Sequence, residues 1–211
     1  MKILFLDFSH NRWHYSFNKK IIEIMNQTYN VIVLAKKDFY SQEDREKFKN
    51  VIFKEINFDS FTSSNPFTNR LKHLYVMVKM FWEARNYNYD KVIISGFDNI
   101  IFGIIGFLFY FKKEMILIHH HNTDELENKI KLYFFNIYKN KVKHIILDEF
   151  IENYLKNEIK VHNDKVFYIN HPICRKVEYN KFKTQTLSTI KIVGLSGSND
   201  EKTIKKIIDK D

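Results

Sequence analysis

A chain of 211 residues with 45% apolar and 28% charged residues can bury a sizeable core, and its five glycines and two prolines exclude collagen-like or disordered classes. The single cysteine, Cys174, excludes an internal disulfide and suits a reducing compartment. A net charge of +9 favours anionic partners (nucleotides, phosphorylated sugars, nucleic acid or acidic lipid headgroups), although lysine-rich composition accounts for it equally well.

The chain opens on "KILFLDF" (2–8), a short apolar run that reads as a buried strand and is too short for a secretory signal. Phe17, Ile21, Ile24, Met25 and Thr28 then recur at helical spacing, and "NVIVLAK" (30–36) is a second strand. Ser41 with Asp44 three residues on predicts a capping-box start for a polar helix over 41–50. "VIFKEINF" (51–58) is a third strand, followed by a loop rich in turn formers. Leu71, Leu74, Tyr75, Val78, Phe81, Trp82 and Arg85 mark one face of a long helix, and that face is expected to pack in the core.

"KVIISG" (91–96) is a fourth strand. The apolar run over 100–111 would span about 18 Å as a helix, well short of a bilayer. It reads as part of a buried helix over 98–111, with a membrane-surface helix edged by Lys112 and Lys113 as the alternative. "EMILIHH" (114–120) is a fifth strand, Leu126, Ile130, Phe134 and Ile137 mark a helix, and "KHIILD" (143–148) is a sixth strand. A short helix over 150–157 and a seventh strand, "KVFYIN" (165–170), follow. This alternation implies an α/β fold: a Rossmann-like parallel sheet of about seven strands with helices on both faces. Residues 1–173 form that domain, 174–189 read as a linker, and 190–211 restart a strand, a glycine turn and a helix, either the start of a truncated second domain or a unit packed back on the first.

Ligands of such sheets sit beyond the carboxyl ends of the strands. Those ends supply Asp7, His10, Arg12 and His14 after strand one, Ser95 and Asp98 after strand four, His119, His120, His121 and Asn122 after strand five, and Asp148 and Glu149 after strand six. Successive strand side chains point to opposite faces, so His119 and His121 share a side and His120 opposes them. The three cannot converge on one ion without a turn, and no metal site is assigned. One histidine as base or sugar-hydroxyl partner, and all three as a strand cap bonded to loop backbone, both remain open. The turn after strand one contains no glycine, so the dinucleotide fingerprint is absent, as are a P-loop and a nucleophile elbow. Gly194 and Gly197 in "GLSGSN" form a short turn able to cradle a phosphate above the helix that follows.

Four stretches together carry a resemblance: "MKILFLDFS", "MILIHHHN", "VKHIILDEFIENYLKN" and "KVFYINHPI". In this order and spacing the chain resembles the N-terminal, acceptor-side domain of GT-B-fold glycosyltransferases of the bacterial capsule and lipopolysaccharide type, and "IKIVGLSGSNDEKTIKKII" then resembles the first strand, turn and helix of their nucleotide-sugar domain. The resemblance implies transfer of a sugar from a nucleotide-sugar donor to a saccharide or lipid-linked acceptor, with no separate cofactor. By it, His121 matches the histidine that borders the donor sugar, with Asn122 beside it, and Asp148 and Glu149 occupy the family's Ser-Glu position. Asp7, His10 and Arg12 would line the acceptor cleft, with Ser95, Asp98 and His119 among the substrate contacts. The chain departs from the pattern in three places: bulky "HNRWHY" replaces the glycine-rich turn, Asp148 replaces serine, and the chain stops before the paired-glutamate motif of the donor domain. The resemblance also implies a cytoplasmic protein, peripheral on the inner membrane face. The rival readings are a non-catalytic Rossmann-like ligand-binding domain and a nucleic-acid binder. For the second, the apolar spacing of the lysine-rich helix 128–143 argues a solvated helix face instead.

Overall fold

The computed structural model describes residues 1–9, 14–48, 50–57, 66–96, 100–101, 103–120 and 126–169. Seven strands form one parallel sheet: β1 (Lys2–Asp7), β2 (Asn30–Lys36), β3 (Val51–Ile56), β4 (Lys91–Ser95), β5 (Glu114–His119), β6 (Lys143–Ile146) and β7 (Val166–Tyr168), in the order β3-β2-β1-β4-β5-β6-β7. The chain therefore winds outward from β1 in one direction, returns, and winds outward from β4 in the other. Crossovers of one hand that progress in opposite directions must cover opposite faces of the sheet.

The apolar layers follow from that rule. Helix α1 (Tyr15–Asn26) and the short α2 (Gln42–Lys47) cover one face, where Phe17, Ile21 and Met25 pack on Ile3, Phe5, Val33 and Ile116. Helices α3 (Pro66–Ala84), α4 (Gly103–Phe111), α5 (Lys129–Tyr138) and α6 (Glu149–Asn153) cover the other, where Val76, Met80, Phe107, Phe135 and Ile151 pack on Leu4, Leu6, Ile94 and Leu117. The alternation along β1 serves both layers, as a strand buried on two faces requires. A π-helical turn over Tyr154–Glu158 and a short 3-10 turn over Asn163–Lys165 lead into β7.

The capping box expected at Ser41 is present: Ser41 Oγ accepts from the Asp44 N–H at 3.2 Å, and Asp44 Oδ2 accepts from the Ser41 N–H at 3.3 Å. The expected core face of α3 is not the one that packs. Leu71, Leu74, Tyr75, Val78 and Trp82 are each more than half exposed, while Val76, Met80 and Ala84 meet the sheet. Helix α3 is apolar on both sides, so periodicity alone selected the wrong one. The run over 100–111 is buried on one side only: Ile104 and Phe107 of α4 are in the core and Gly103 lets the helix lie directly on Met77, while Phe109 faces outward. Among the described residues no helix is long and apolar enough to cross a membrane. Residues 170–211, and with them the expected linker and second-domain start, lie outside the described residues.

Candidate functional site

The sheet reverses its winding between β1 and β4, and the carboxyl ends of those two strands are where a Rossmann-like sheet opens a crevice. Asp7 and Ser95 are register partners there, and the Phe8 N–H donates to the Ser95 carbonyl at 3.1 Å. Gly96 turns the chain away from β4 at φ +73°, a left-handed conformation that a Cβ disfavours. Asp7 shares the parity of Ile3 and Phe5, so its carboxyl points to the α1 face and is fully buried.

Three donors meet that carboxyl. The Ser9 N–H reaches Oδ1 at 2.9 Å, and Asn18 Nδ2 and Tyr40 OH reach Oδ2 at 2.9 and 2.7 Å. Burial pushes the Asp7 pKa up, and the bonds from Tyr40, Ser9 and Asn18 pull against it. Burial and the neighbouring Asp7 push Tyr40 well above the ordinary phenol range, so its hydroxyl keeps its proton and donates. Asn18, one turn into α1 and fully buried, is the hinge of the network. Its Nδ2 serves Asp7 and its Oδ1 accepts from Ser95 Oγ at 2.8 Å. Ser95 has spent its one hydrogen, so its oxygen is the acceptor for His120 Nε2–H at 3.3 Å. The His120 ring stacks on His14 with centroids 3.6 Å apart and an interplanar angle of 27°, and takes the edge of Phe17 at 5.2 Å. A continuous hydrogen-bonded chain thus runs from Tyr40 through Asp7, Asn18 and Ser95 to His120, whose ring in turn stacks on His14.

Beside it a second cluster anchors the start of α1. Buried Asp44 accepts from the Tyr15 hydroxyl, the Lys19 ammonium and Ser41 Oγ. Burial alone would raise its pKa, but these donors outweigh it and hold the carboxyl at about 2.

The expected site residues separate into groups. Asp7 and Ser95 are adjacent and both fully buried at the carboxyl ends of β1 and β4. His119 is not on the rim. It faces the other side of the sheet, fully buried, with Nε2 2.9 Å from His144 Nδ1 and its ring against Phe135. The Lys139 carbonyl, 2.7 Å from His144 Nε2, can only accept. His144 therefore carries its hydrogen on Nε2, and His119 donates from Nε2 to the bare Nδ1. Burial keeps both rings neutral, His144 at about 4 and His119 well below its ordinary value.

Asp148 and Glu149 are exposed after β6. Asp148 is the N-cap of α6, accepting from the Phe150 N–H at 2.7 Å. Three strand spacings put this corner about 14 Å from Asp7 along the same rim. His10, Arg12, Asp98, His121, Asn122, Gly194 and Gly197 lie outside the described residues. Among the described residues, no group of three or more histidine, cysteine or acidic side chains is placed to hold a metal.

Sequence reading missed Asn18, Tyr40 and the role of His120. Asn18 carried a signal, since it shares the inward stripe of α1 with Ile21, Ile22 and Met25, where a polar residue must find a buried partner. His120 carried one too, in its parity with Ile116 and Ile118 of the α1 layer.

No protein-family profile matches the chain, and no curated protein matches it in sequence. Solved structures resemble it in fold, among them three glycosyltransferases. UGT73P12 of Glycyrrhiza uralensis, solved with glycyrrhetinic acid 3-O-monoglucuronide, has 8% identity and a TM-score of 0.56 over 81% of this chain and 48% of that one. The glycotransferase of kitacinnamycin has 8% identity and a TM-score of 0.56 over 87% of this chain and 54% of that one. LpCGTa, solved with UDP, has 10% identity and a TM-score of 0.53 over 80% of this chain and 53% of that one. The chain thus spans about half the length of the structures it resembles, and what it shares with these GT-B glycosyltransferases is the fold, a seven-stranded Rossmann-like α/β domain.

Proposed function

We propose that the chain is the acceptor-side, N-terminal domain of a glycosyltransferase that moves a sugar from a nucleotide-sugar donor to a saccharide or lipid-linked acceptor of the capsule or lipopolysaccharide kind. The observation that carries the reading is the buried hydrogen-bonded chain Asp7–Asn18–Ser95–His120, which ties together the ends of β1, β4 and β5 at the point where the sheet reverses its winding. The fold likeness to glycosyltransferases supports it. In this reading His121 and Asn122 follow directly on the His120 anchor and meet the donor sugar. His10 and Arg12 line the acceptor cleft with Asp7, Asp98 is a further substrate contact, Asp148 and Glu149 bound the far end of the site, and Gly194 and Gly197 hold a donor phosphate. The nucleotide sugar is substrate, and no further cofactor is invoked. The reading places the protein in the cytoplasm, peripheral on the inner membrane face.

Titration with UDP- and GDP-sugars by ligand-observed NMR, together with an assay of nucleotide release, tests it. Saturable binding with slow release, the release being lost in His121→Ala, supports transfer. Binding with no release in either protein supports the second reading, a Rossmann-like binding domain without catalysis. Failure to bind either a nucleotide sugar or a saccharide acceptor overturns both.

A further inference from the structure

The outward side of α3 is the least expected surface of the molecule. Leu71, Leu74, Tyr75, Val78 and Trp82 fall on one helical stripe and are 51, 51, 57, 54 and 61% exposed. Soluble surfaces rarely gather five large apolar side chains in one row. The stripe has a cationic border. Lys79 Nζ lies 5.4 Å above the Tyr75 ring, and the Arg85 guanidinium lies 3.6 Å above the Trp82 ring. Both cations therefore lie across the aromatic members of the stripe, as long basic side chains do at an apolar–water boundary.

The neighbouring helices continue the pattern. Phe81 of α3 meets Phe107 of α4 with ring centroids 4.5 Å apart, and both helices pack on the same face of the sheet as α5. Phe109 of α4 and Ile130, Tyr133 and Ile137 of α5 are also exposed, at 72, 64, 65 and 40%. Across α3, α4 and α5 the sequence holds a single acidic residue, Glu83, whose carboxylate accepts from the Tyr87 hydroxyl, and exposed Glu127 stands two residues before α5. Lys72, Lys79, Lys129 and Lys131 belong to the same three helices, and Lys112 and Lys113 follow α4 directly.

We propose that this helical layer, centred on Leu74, Val78 and Trp82, docks the protein on an anionic lipid bilayer. Apolar and aromatic side chains bordered by lysine and arginine match the acyl boundary and the negative headgroups together. A second copy of the chain fits less well, because a twofold contact through this layer sets lysine against lysine between two chains of net charge +9. A nucleic-acid backbone gains nothing from the exposed leucines and valine. The surface gives a location to the peripheral contact of the proposed function and rests on that reading for its biological setting. It uses none of the crevice residues, and lipid binding is read without nucleotide sugar, so failure of one is distinguishable from failure of the other.

The test is co-sedimentation at physiological salt with vesicles of about one-third phosphatidylglycerol in phosphatidylcholine, against pure phosphatidylcholine. Binding is expected to be at least about tenfold tighter to the anionic vesicles, with a blue shift of tryptophan emission. Leu74→Glu/Val78→Glu is expected to weaken it at least about tenfold, and Trp82→Ser to weaken it in the same direction and remove most of the emission shift. Lys20→Gln/Lys47→Gln, on α1 and α2 across the sheet, lowers the net charge by the same two units and is expected to change binding less than about twofold. Circular dichroism shows that each variant is folded, which exposed positions favour. No binding to anionic vesicles, or equal losses in the α3 pair and the control pair, overturns the proposal. So does a lipid-free dimer of this chain that Leu74→Glu/Val78→Glu dissolves, since the layer then belongs to a second copy.

Discussion

Replacing Asp44 with asparagine tests the clamp that seats α1 beside the rim. The carboxylate takes bonds from Tyr15, Lys19 and Ser41 and stands at about 2 against an ordinary 3.8. That difference, at about 1.36 kcal/mol per unit, makes ionised Asp44 stabilise the fold by about 2 kcal/mol near neutral pH. The folded value lies below the unfolded one, so this stability is present above 3.8 and is lost as pH falls through 3.8 toward about 2. Urea unfolding of Asp44→Asn and the parent chain should therefore differ by about 2 kcal/mol at neutral pH and by about 1 kcal/mol near pH 3. A neutral-pH difference below about 0.5 kcal/mol, or one that does not shrink on acidification, refutes the reasoning.

Other outcomes follow from single contacts. Asn18→Ala leaves Asp7 short of one donor and the Ser95 hydroxyl without its acceptor, and thermal unfolding should show a loss of about 2–4 kcal/mol. Glu114→Gln removes the charge shared by Lys91 at 3.0 Å and Lys143 at 2.5 Å, both nearly buried, and should cost about 3 kcal/mol in urea unfolding. Long-range nitrogen–proton NMR should find His119 and His144 both protonated on Nε2 and neutral. Because His144 is depressed from 6.5 to about 4, its contribution is full above 6.5, and stability should decline as pH falls from there toward 4. Gly96→Ala should cost about 1 kcal/mol by calorimetry, because φ is +73° and no contact forces the loss.

Several features were legible residue by residue. The strands were readable because buried parallel strands are short, continuous apolar runs, as "KILFLD", "NVIVLAK" and "EMILIH" are, while the longer apolar run over 100–111 read as a helix. The cap at Ser41 was readable because it needs only residues three apart. The opposition of His119 and His120 followed from strand alternation, and the structure places them in separate layers. The choice between them did not follow: His119 was among the expected substrate contacts, and it lies in the core because β6 brings His144 under it. Asn18 and Tyr40 were invisible as partners of Asp7, since 11 and 33 residues of chain separate them from it.

The sequence by itself determined which segments are extended, which are helical, where α2 begins and that the sheet would be covered on both faces. These are local facts of periodicity and capping, which involve residues a few positions apart. The tertiary structure alone decided which apolar side of α3 meets the sheet and which residues complete the Asp7 network, because both depend on where the crossovers set distant elements down. A helix with two greasy sides holds no information about its neighbour; only the winding from β3 across to β4 buried Val76 and Met80 and left Leu74 and Trp82 facing outward.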